Sequence, residues 1–533
     1  MPAQHSDSTA LPDEIKALVG RRSVLVASNR GPVEFVRERS GRLTTRRGAG
    51  GVVTALAGLA RSLPVTWIAA AMTSGDREAF PELGAPARDV RLGRQPLRVR
   101  YVNVEPDIYE MFYDRVSNEL LWFLQHYMWE LTTTPTFTQK HYLAWQEGYK
   151  AVNRSIAQTI IDEVRQSSPP ASARSAARGG ANAIILLQDY HLYLAAAMIR
   201  EQMPRATIQQ FIHIPWPAIR YWEFLPERFV AEIYEGLAAT DVLGFQTDLD
   251  ARNFLECARV FLPGSRVDQE QGSLLWHRHR LLARAYPVTV DADEVQRTVM
   301  SAAGRAGAQE LASVFESDAR VLVRVDRLEP TKNIVRGLQA YELLLRTHPE
   351  LHGTVRHLVL LVPSRQGLAR YRKYDREVRR LVQRINSEFG TKEWEPITAF
   401  FENDRPRALV AAREADVVLV NPVIDGMNLV VKEAIVVSAH DAVIVLSRTA
   451  GAYRELRDAV LAVTATDIEE TAEQLYEALS MPEQERHQRA QQARQIVEQT
   501  TPTQWALNQL RDVAYIRASP KEKMQAQSLQ RVG

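Results

Sequence analysis

This sequence predicts an α/β protein of two doubly wound domains, and three observations predict it. Short β-branched runs alternate with helical stretches, and they do so in two successive sets. At 533 residues the chain is too long for a single hydrophobic core. Between the sets, Tyr286-Pro-Val-Thr-Val-Asp-Ala-Asp reads as a strand running into a linker, which puts the boundary near residue 290.

The first set consists of Val24-Leu-Val-Ala-Ser, Val65-Thr-Trp-Ile-Ala, Ala183-Ile-Ile-Leu-Leu, Thr207-Ile-Gln-Gln-Phe-Ile-His-Ile and Asp241-Val-Leu-Gly-Phe. The second runs from Val321-Leu-Val through His357-Leu-Val-Leu-Leu-Val, Ile397-Thr-Ala-Phe-Phe and Val417-Val-Leu-Val to Ala442-Val-Ile-Val-Leu. Strands separated by helices imply parallel pairing with crossovers. Ligands of such sheets bind beyond the carboxyl ends of the strands, so each domain is expected to present a site facing a cleft between them. The breaker-rich segment from Ser167 to Gly180 reads as a surface loop, and no short-period repeat suggests a solenoid.

Composition narrows the function classes. Apolar residues make up 45% of the chain, charged residues 24%, and the formal net charge is +2, which argues against a general nucleic-acid binder with a dense basic face. The single cysteine, Cys257, cannot form an internal disulfide, so a reducing compartment is the default. No apolar run reaches membrane-spanning length, and the first twenty residues lack a hydrophobic signal core. A cytoplasmic protein acting on small molecules is expected, with neither nucleic acid nor membrane as partner; self-association into a homo-oligomer is left open.

The richest motif is Asp425-Gly-Met-Asn-Leu-Val-Val-Lys-Glu433, which puts a carboxylate, a glycine and a set of helix-terminal N–H groups where a strand hands over to a helix. A helix N-terminus carries partial positive charge and suits a phosphate. Glu433, one turn beyond Leu429, is placed to accept hydrogen bonds from a ribose diol. About a hundred residues earlier, the strand Arg320-Val-Leu-Val-Arg-Val-Asp-Arg-Leu breaks at Pro330 into a helix starting near Asn333, with Arg327 and Lys332 flanking the break. A planar fork and a point charge together can neutralise a diphosphate. Taken alone, Arg327 reads more readily as a surface partner of Asp326 or Glu329, and only together with the acidic corner does the diphosphate reading prevail.

In the first half, Ser28-Asn-Arg-Gly-Pro follows a strand, and Arg46-Arg-Gly-Ala-Gly-Gly-Val precedes a helix. The glycine loop allows close approach to a phosphate, although alone it reads as a tight turn, and Val53 at the third glycine position rules out a dinucleotide fingerprint. Tyr113, Ser117, Asn118 and Trp122 offer aromatic faces beside polar groups, a wall for a sugar ring or else core packing. Gln188-Asp-Tyr-His191 and Phe211-Ile-His-Ile-Pro-Trp-Pro217 each end a buried strand, and His191 or His213 singly reads as well as a structural histidine. His277 and His279 share a face of a supposed strand from Leu274 to Leu281, but no third ligand accompanies them and a surface hairpin explains them, so no metal site is expected.

The ordered set of motifs resembles the trehalose-6-phosphate synthases, retaining glycosyltransferases of family 20 with the GT-B fold, over about Val24 to Leu510. The resemblance implies a flexible N-terminus (1–20), an acceptor-binding Rossmann-like domain (21–289), a nucleotide-sugar-binding Rossmann-like domain (290–498), a helix crossing back to the first domain (499–518) and a flexible tail (519–533). It further implies that Arg327 and Lys332 bind the donor diphosphate, that Gly50 and Gly51 close over it, and that Glu433 takes the ribose. Asp425 with the backbone of Gly426, Met427, Asn428, Leu429 and Val430 would hold the donor glucose. Arg30 and Arg365 would grip the phosphate of glucose 6-phosphate, Tyr113 and Trp122 would line its pocket, and Asp189 would bind its hydroxyls. His213 would lie near the reacting sugar. Asp189, His213, Arg327, Lys332 and Asp425 make up the catalytic set for retaining transfer of glucose from UDP-glucose or GDP-glucose, the nucleotide base being left open by the sequence, to glucose 6-phosphate, and neither metal nor other cofactor is implied beyond the nucleotide-glucose substrate.

Four departures fall on loop walls and the acceptor side. Gln188 stands for a frequent histidine, Phe123 for a proline, Asn333 for a glycine, and Ala70-Ala-Met-Thr for a tryptophan-serine-glycine run. Trp67 and Pro215-Trp-Pro also resemble a pseudoglycosidic relative that couples cyclitols through nitrogen, so another phosphorylated acceptor is the alternative. A non-catalytic sugar-phosphate-binding homologue is a second alternative, but it predicts loss of a donor-site charge, and Arg327, Lys332, Asp425 and Glu433 are all present.

Overall fold

The computed structural model describes residues 10–38, 40–48, 53, 56, 59, 63–82, 84–92, 95–167, 183–315 and 319–517. Gly50, Gly51, the loop expected after Ser167 and the tail from 519 lie outside them. The chain divides into two compact units, one formed by the residues up to Pro287 together with those from Pro502, the other by Val288–Thr501.

In the first unit the strands are β1 (Ser23–Ser28), β2 (Val33–Arg37), β3 (Leu43–Arg47), β4 (Val65–Ala70), β5 (Arg88–Leu92), β6 (Gln95–Val102), β7 (Ala183–Gln188), β8 (Thr207–Phe211), β9 (Val242–Phe245), β10 (Arg266–Asp268), β11 (Ser273–Trp276) and β12 (His279–Ala285). Among the described residues ten of them form one sheet, ordered β10-β11-β12-β9-β8-β7-β1-β4-β6-β5, while β2 and β3 pair separately. The run β9-β8-β7-β1-β4-β6 is parallel, and its order reverses between β1 and β7. Every residue of β7 and β8 is buried, which explains why β7 reads as a continuous apolar run rather than an alternating one, while β8 buries Gln209 and Gln210 as well.

The sheet is not purely parallel. β5 pairs antiparallel with β6 at one end, and β10, β11 and β12 form antiparallel hairpins at the other. The supposed continuous strand across His277 and His279 is corrected here. His277 and Arg278 take φ of 44° and 66° and form a two-residue hairpin turn between Trp276 and His279. Such a turn sends the two histidines in different directions, and His279 Nε2 meets the Thr240 carbonyl at 2.7 Å.

β13 (Arg320–Leu328), β14 (Val355–Pro363), β15 (Ile397–Phe400), β16 (Val417–Val420), β17 (Val443–Ser447) and β18 (Leu461–Val463) build the second unit's sheet, ordered β15-β14-β13-β16-β17-β18 and parallel throughout. Counted along the chain this is the doubly wound order 3-2-1-4-5-6, whose reversal lies between β13 and β16. β13 pairs with β14 over its whole length but with β16 only at Leu322–Val417 and Val323–Val418, so a crevice opens beyond those pairs. Leu338, Tyr341 and Leu345 from the helix Ile334–Thr347 and Val378 and Ile385 from Ala369–Phe389 pack with Leu322, Val359 and Val417 in its core.

The helix Pro502–Arg517 belongs with the first unit. Trp505 is 1% exposed, donates from Nε1 to the Tyr286 carbonyl at 2.9 Å and meets Phe211 edge-on at 5.0 Å. Gln209 reaches Gln509 at 2.8 Å, and Tyr286 donates to Asp512 at 2.6 Å. Removing so large a buried ring leaves a cavity, so Trp505→Ala is expected to destabilise the first unit by about 3–5 kcal/mol. Urea unfolding followed by tryptophan emission checks this, and a loss below 1 kcal/mol would show that the helix does not anchor there.

Candidate functional site

The crevice of the second unit begins where β13 ends. Arg324, fully buried, donates from Nε to Asp326 at 3.1 Å, from Nη1 to Asn421 Oδ1 at 2.7 Å, and from Nη2 to the Lys332 carbonyl. Burial holds the Asp326 carboxyl up at about 6, against the pull of Arg324 and then Lys332. These bonds fasten the short 3₁₀ turn Pro330–Lys332 under the sheet edge. Asn333 follows in the left-handed region at φ 59°, and its amide donates to the carbonyls of Asn421 and Ala465 at 2.9 and 2.5 Å. Asparagine tolerates that conformation better than most side chains, which accounts for its standing where a glycine is common in the family resemblance. Gly337 is required for another reason: a Cβ there would come within 2.2 Å of Arg324 Nη1.

Across the crevice, β16 runs into the segment carrying Asp425. The loop is zipped to the next one by Gly451 N–H donating to the Asp425 carbonyl at 3.0 Å and Ala452 N–H to the Met427 carbonyl at 2.9 Å. A side chain at Gly451 would strike the Gly426 carbonyl at 1.8 Å, so the close approach of the two loops requires glycine at residue 451. Asn428, at φ 78°, caps the helix Leu429–Val437 by accepting from Val431 N–H at 3.2 Å and donates from Nδ2 to Asp425 at 3.0 Å. Lys332 Nζ pairs with Asp425 Oδ2. The two motifs that lie 93 residues apart in sequence thus meet through one ion pair.

Glu433, one turn into the helix, accepts on Oε1 from Arg405, whose other donors grip Glu294 at 2.9 and 3.0 Å. Burial pushes the Glu433 carboxyl up, countered by Arg405. Lys432, also buried, faces away to the Val288 carbonyl at 2.9 Å and to Glu455 at 2.6 Å. Arg327 and Arg365, assigned by resemblance to different substrates, converge on a single carboxylate, Glu329, at 3.0 and 2.8 Å. Arg327 is thus paired with Glu329, one of the two surface partners considered for it, but Glu329 is itself fully buried; Asp326 is taken by Arg324.

In the first unit the residues gather beyond β1, β7 and β8. Ser28 Oγ accepts from Trp67 Nε1 and donates to the Arg30 carbonyl, both at 2.7 Å, leaving the Arg30 side chain exposed. Asp189 lies at φ 70°, ψ 178°, a conformation that costs a non-glycine residue about 1–3 kcal/mol and concentrates at functional sites. Its carboxylate accepts from His213 N–H at 3.1 Å. Tyr113 stacks between Tyr109 at 5.5 Å and His191 at 5.9 Å, and Tyr109 reaches Asn29 at 3.2 Å. Trp122 is buried and stacks on His126 at 3.9 Å. Both aromatics belong to a π-helix, Met111–Trp122, with Ser117 donating to the Phe112 carbonyl five residues back at 2.8 Å. That widened turn is not visible in residue spacing.

Sequence reasoning missed Glu329 as more than a surface partner, Arg324 with Asn421, and Arg405 with Glu294. Only the first had a signal: on extended chain Arg327 and Glu329 face the same side. No group of three or more His, Cys, Asp or Glu is placed to hold a metal among the described residues, and no helix there is long and apolar enough to cross a membrane.

His213 Nε2 lies 3.0 Å from Gln188 Oε1, which assigns the ring proton to Nε2. Burial pushes the imidazole down to about 3, so it is neutral. A carboxylate in place of the amide would favour the imidazolium. Gln188→Glu is therefore expected to raise the His213 titration by about 2 pH units or more, measured by NMR of the ring carbons; a titration still near pH 3 would contradict the contact.

A model of glycosyltransferase family 20 matches residues 22–515. The bifunctional trehalose-6-phosphate synthase/phosphatase of Thermoproteus tenax is 31% identical over 496 residues, covering 90% of this chain, and this chain spans 62% of that relative's length. Validamine 7-phosphate valienyltransferase of Streptomyces hygroscopicus subsp. jinggangensis is 30% identical over 473 residues, 88% of each protein. The solved UDP-forming alpha,alpha-trehalose-phosphate synthase of Burkholderia xenovorans, in complex with glucose 6-phosphate, superposes with a TM-score of 0.77 at 26% identity, over 92% of this chain and 99% of that one. Its likeness bears out the GT-B class expected from the motifs. With the family model matching nearly the whole chain, this protein belongs to glycosyltransferase family 20.

Proposed function

We propose that this chain transfers glucose from UDP-glucose to glucose 6-phosphate with retention of configuration, releasing UDP and α,α-trehalose 6-phosphate. The observation that carries the reading is the Lys332–Asp425 pair at the topological switch point of the second unit, beside the capped N-terminus of Leu429–Val437. A cation, a carboxylate and helix-terminal N–H groups within one crevice suit a hexose joined to a diphosphate. The likeness to a UDP-forming synthase with glucose 6-phosphate bound supports the substrate pair. Cytoplasmic residence accords with such substrates and with one buried cysteine, Cys257.

In this reading Arg327 and Lys332 meet the diphosphate, Asp425 and the backbone from Gly426 to Val430 hold the glucose, and Glu433 takes the ribose. Arg30 and Arg365 take the acceptor phosphate, Asp189 the acceptor hydroxyls, with Tyr113 and Trp122 behind them. Gly50 and Gly51, outside the described residues, enter this reading only through the family resemblance. Negative charge grows on the leaving oxygens as the anomeric carbon becomes oxocarbenium-like, and fixed cations stabilise that distribution more than the ground state. The acceptor hydroxyl attacks from the face that UDP leaves, and the departing phosphate takes its proton. Neutral His213, its Nε2 proton directed at Gln188, leaves Nδ1 as an acceptor for a sugar hydroxyl.

The valienyltransferase relative makes a different acceptor the competing reading. Incubating UDP-glucose with glucose 6-phosphate, and in parallel with an aminocyclitol phosphate, separates them by product mass and anomeric coupling. Transfer only to the amine would sink the proposal. Lys332→Ala removes donor charge and leaves Asp425 without its cation, so kcat/KM for UDP-glucose should fall by roughly 10²–10³-fold. Arg365→Ala should raise the KM for glucose 6-phosphate by about tenfold or more with a smaller change for the donor. Equal effects of both substitutions on donor affinity would contradict the division of labour.

A further inference from the structure

Glu329 has no task in the reaction scheme, yet it is buried beside the crevice. Its side chain is 0% exposed, at the first residue past β13, in extended conformation before the Pro330 turn. A buried carboxylate is costly unless its lone pairs are filled by charged or polar donors. Here Oε1 receives Arg327 Nη2 at 3.0 Å and Thr331 Oγ1 at 3.1 Å, while Oε2 receives Arg365 Nη1 at 2.8 Å. Arg365 is 8% exposed, sits at φ 42°, and also reaches the Tyr371 hydroxyl at 3.1 Å. Arg327 is 44% exposed, so its fork extends from the carboxylate toward solvent.

We propose that Glu329 is a positioning residue shared by the two substrates: one buried carboxylate sets the spacing between the arginine that meets the donor diphosphate and the arginine that meets the acceptor phosphate. The inference rests on the substrate assignment of Arg327 and Arg365 given above. Full burial keeps Glu329 from touching either substrate, so it acts only through the two forks. A guanidinium has five N–H donors, and a bond to Glu329 does not exhaust it. Two forks close enough to share one carboxylate repel each other, and the negative charge between them offsets that repulsion. Opposite oxygens of a rigid planar group fix their separation better than two independent surface pairs could. The spacing of the two phosphates, and hence the distance between leaving group and acceptor, is thereby set from beneath the site.

The test is Glu329→Gln, with UDP and glucose 6-phosphate binding measured separately by calorimetry and KM measured for both substrates. A neutral amide accepts on one atom only, so both dissociation constants and both KM values should rise by roughly tenfold. Glu329→Asp, which keeps the charge but reaches one arginine less well, should recover part of that loss. Reduced folding alone would lower the active fraction, and so kcat, without moving either KM. Wild-type KM values for both substrates, a change confined to one substrate, or a loss in kcat alone would overturn the proposal. If Glu329→Gln does not fold, Glu329→Asp carries the same comparison, with both KM values raised as the supporting result. Arg327→Lys and Arg365→Lys separate the underlying assignment: Arg365→Lys weakening UDP rather than glucose 6-phosphate would overturn the substrate reading, whatever Glu329→Gln does.

Discussion

A buried guanidinium holds the second unit's site together. Arg324 lies inside the sheet with no exposure, and every partner named for it belongs to the machinery at the strand ends: Asp326 beside it on β13, Asn421 after β16, and the carbonyl of Lys332. An uncompensated charge at that depth would be strongly destabilising, so the turn carrying Lys332 and the loop leading to Asp425 are constrained together. The Asn333 amide adds two more bonds from the same turn to Asn421 and Ala465. The reacting groups sit on top of this base, and their rigidity derives from it.

Both units use the same device. Each parallel run reverses its order next to its first strand, and each places polar side chains beyond the two strands that part there. In the second unit these are Arg327, Lys332 and the Asp425 loop; in the first, the Ser28–Arg30 turn and Asp189. The chemistry differs between them. Two cations and a capped helix N-terminus present N–H donors suited to a diphosphate, whereas a strained carboxylate, a neutral imidazole and stacked aromatic rings present hydrogen-bonding and apolar faces suited to hydroxyls and ring carbons.

Charge is handled by pairing rather than by exposure. Lys332 with Asp425, Arg405 with Glu433 and Glu294, and Arg327 with Arg365 through Glu329 each keep a cation and a carboxylate in contact. Groups held in this way need little reorganisation when charge develops on a leaving phosphate, the condition under which electrostatic stabilisation is most effective.

The sequence alone determined the fold class and the chemical character of the strand ends. Apolar runs such as Ala183–Gln188 and Val417–Val420 are long enough and buried enough to declare themselves, and the breaks after them carry the functional residue types because only strand ends face solvent at a crevice. β5 and β6 were not legible. Arg98 and Arg100 interrupt the apolar pattern, and only the fold supplies Glu163 to neutralise the buried Arg100 at 3.2 Å. The π-helix Met111–Trp122 and the turn at His277–Arg278 escaped for a related reason, since backbone geometry there follows from packing rather than from residue period. Which charges meet was decided by tertiary structure alone. Arg365 lies 36 residues from Glu329 and Lys332 lies 93 from Asp425; parallel pairing of β13 with β14 and with β16 brings those strand ends together, and no local pattern records it.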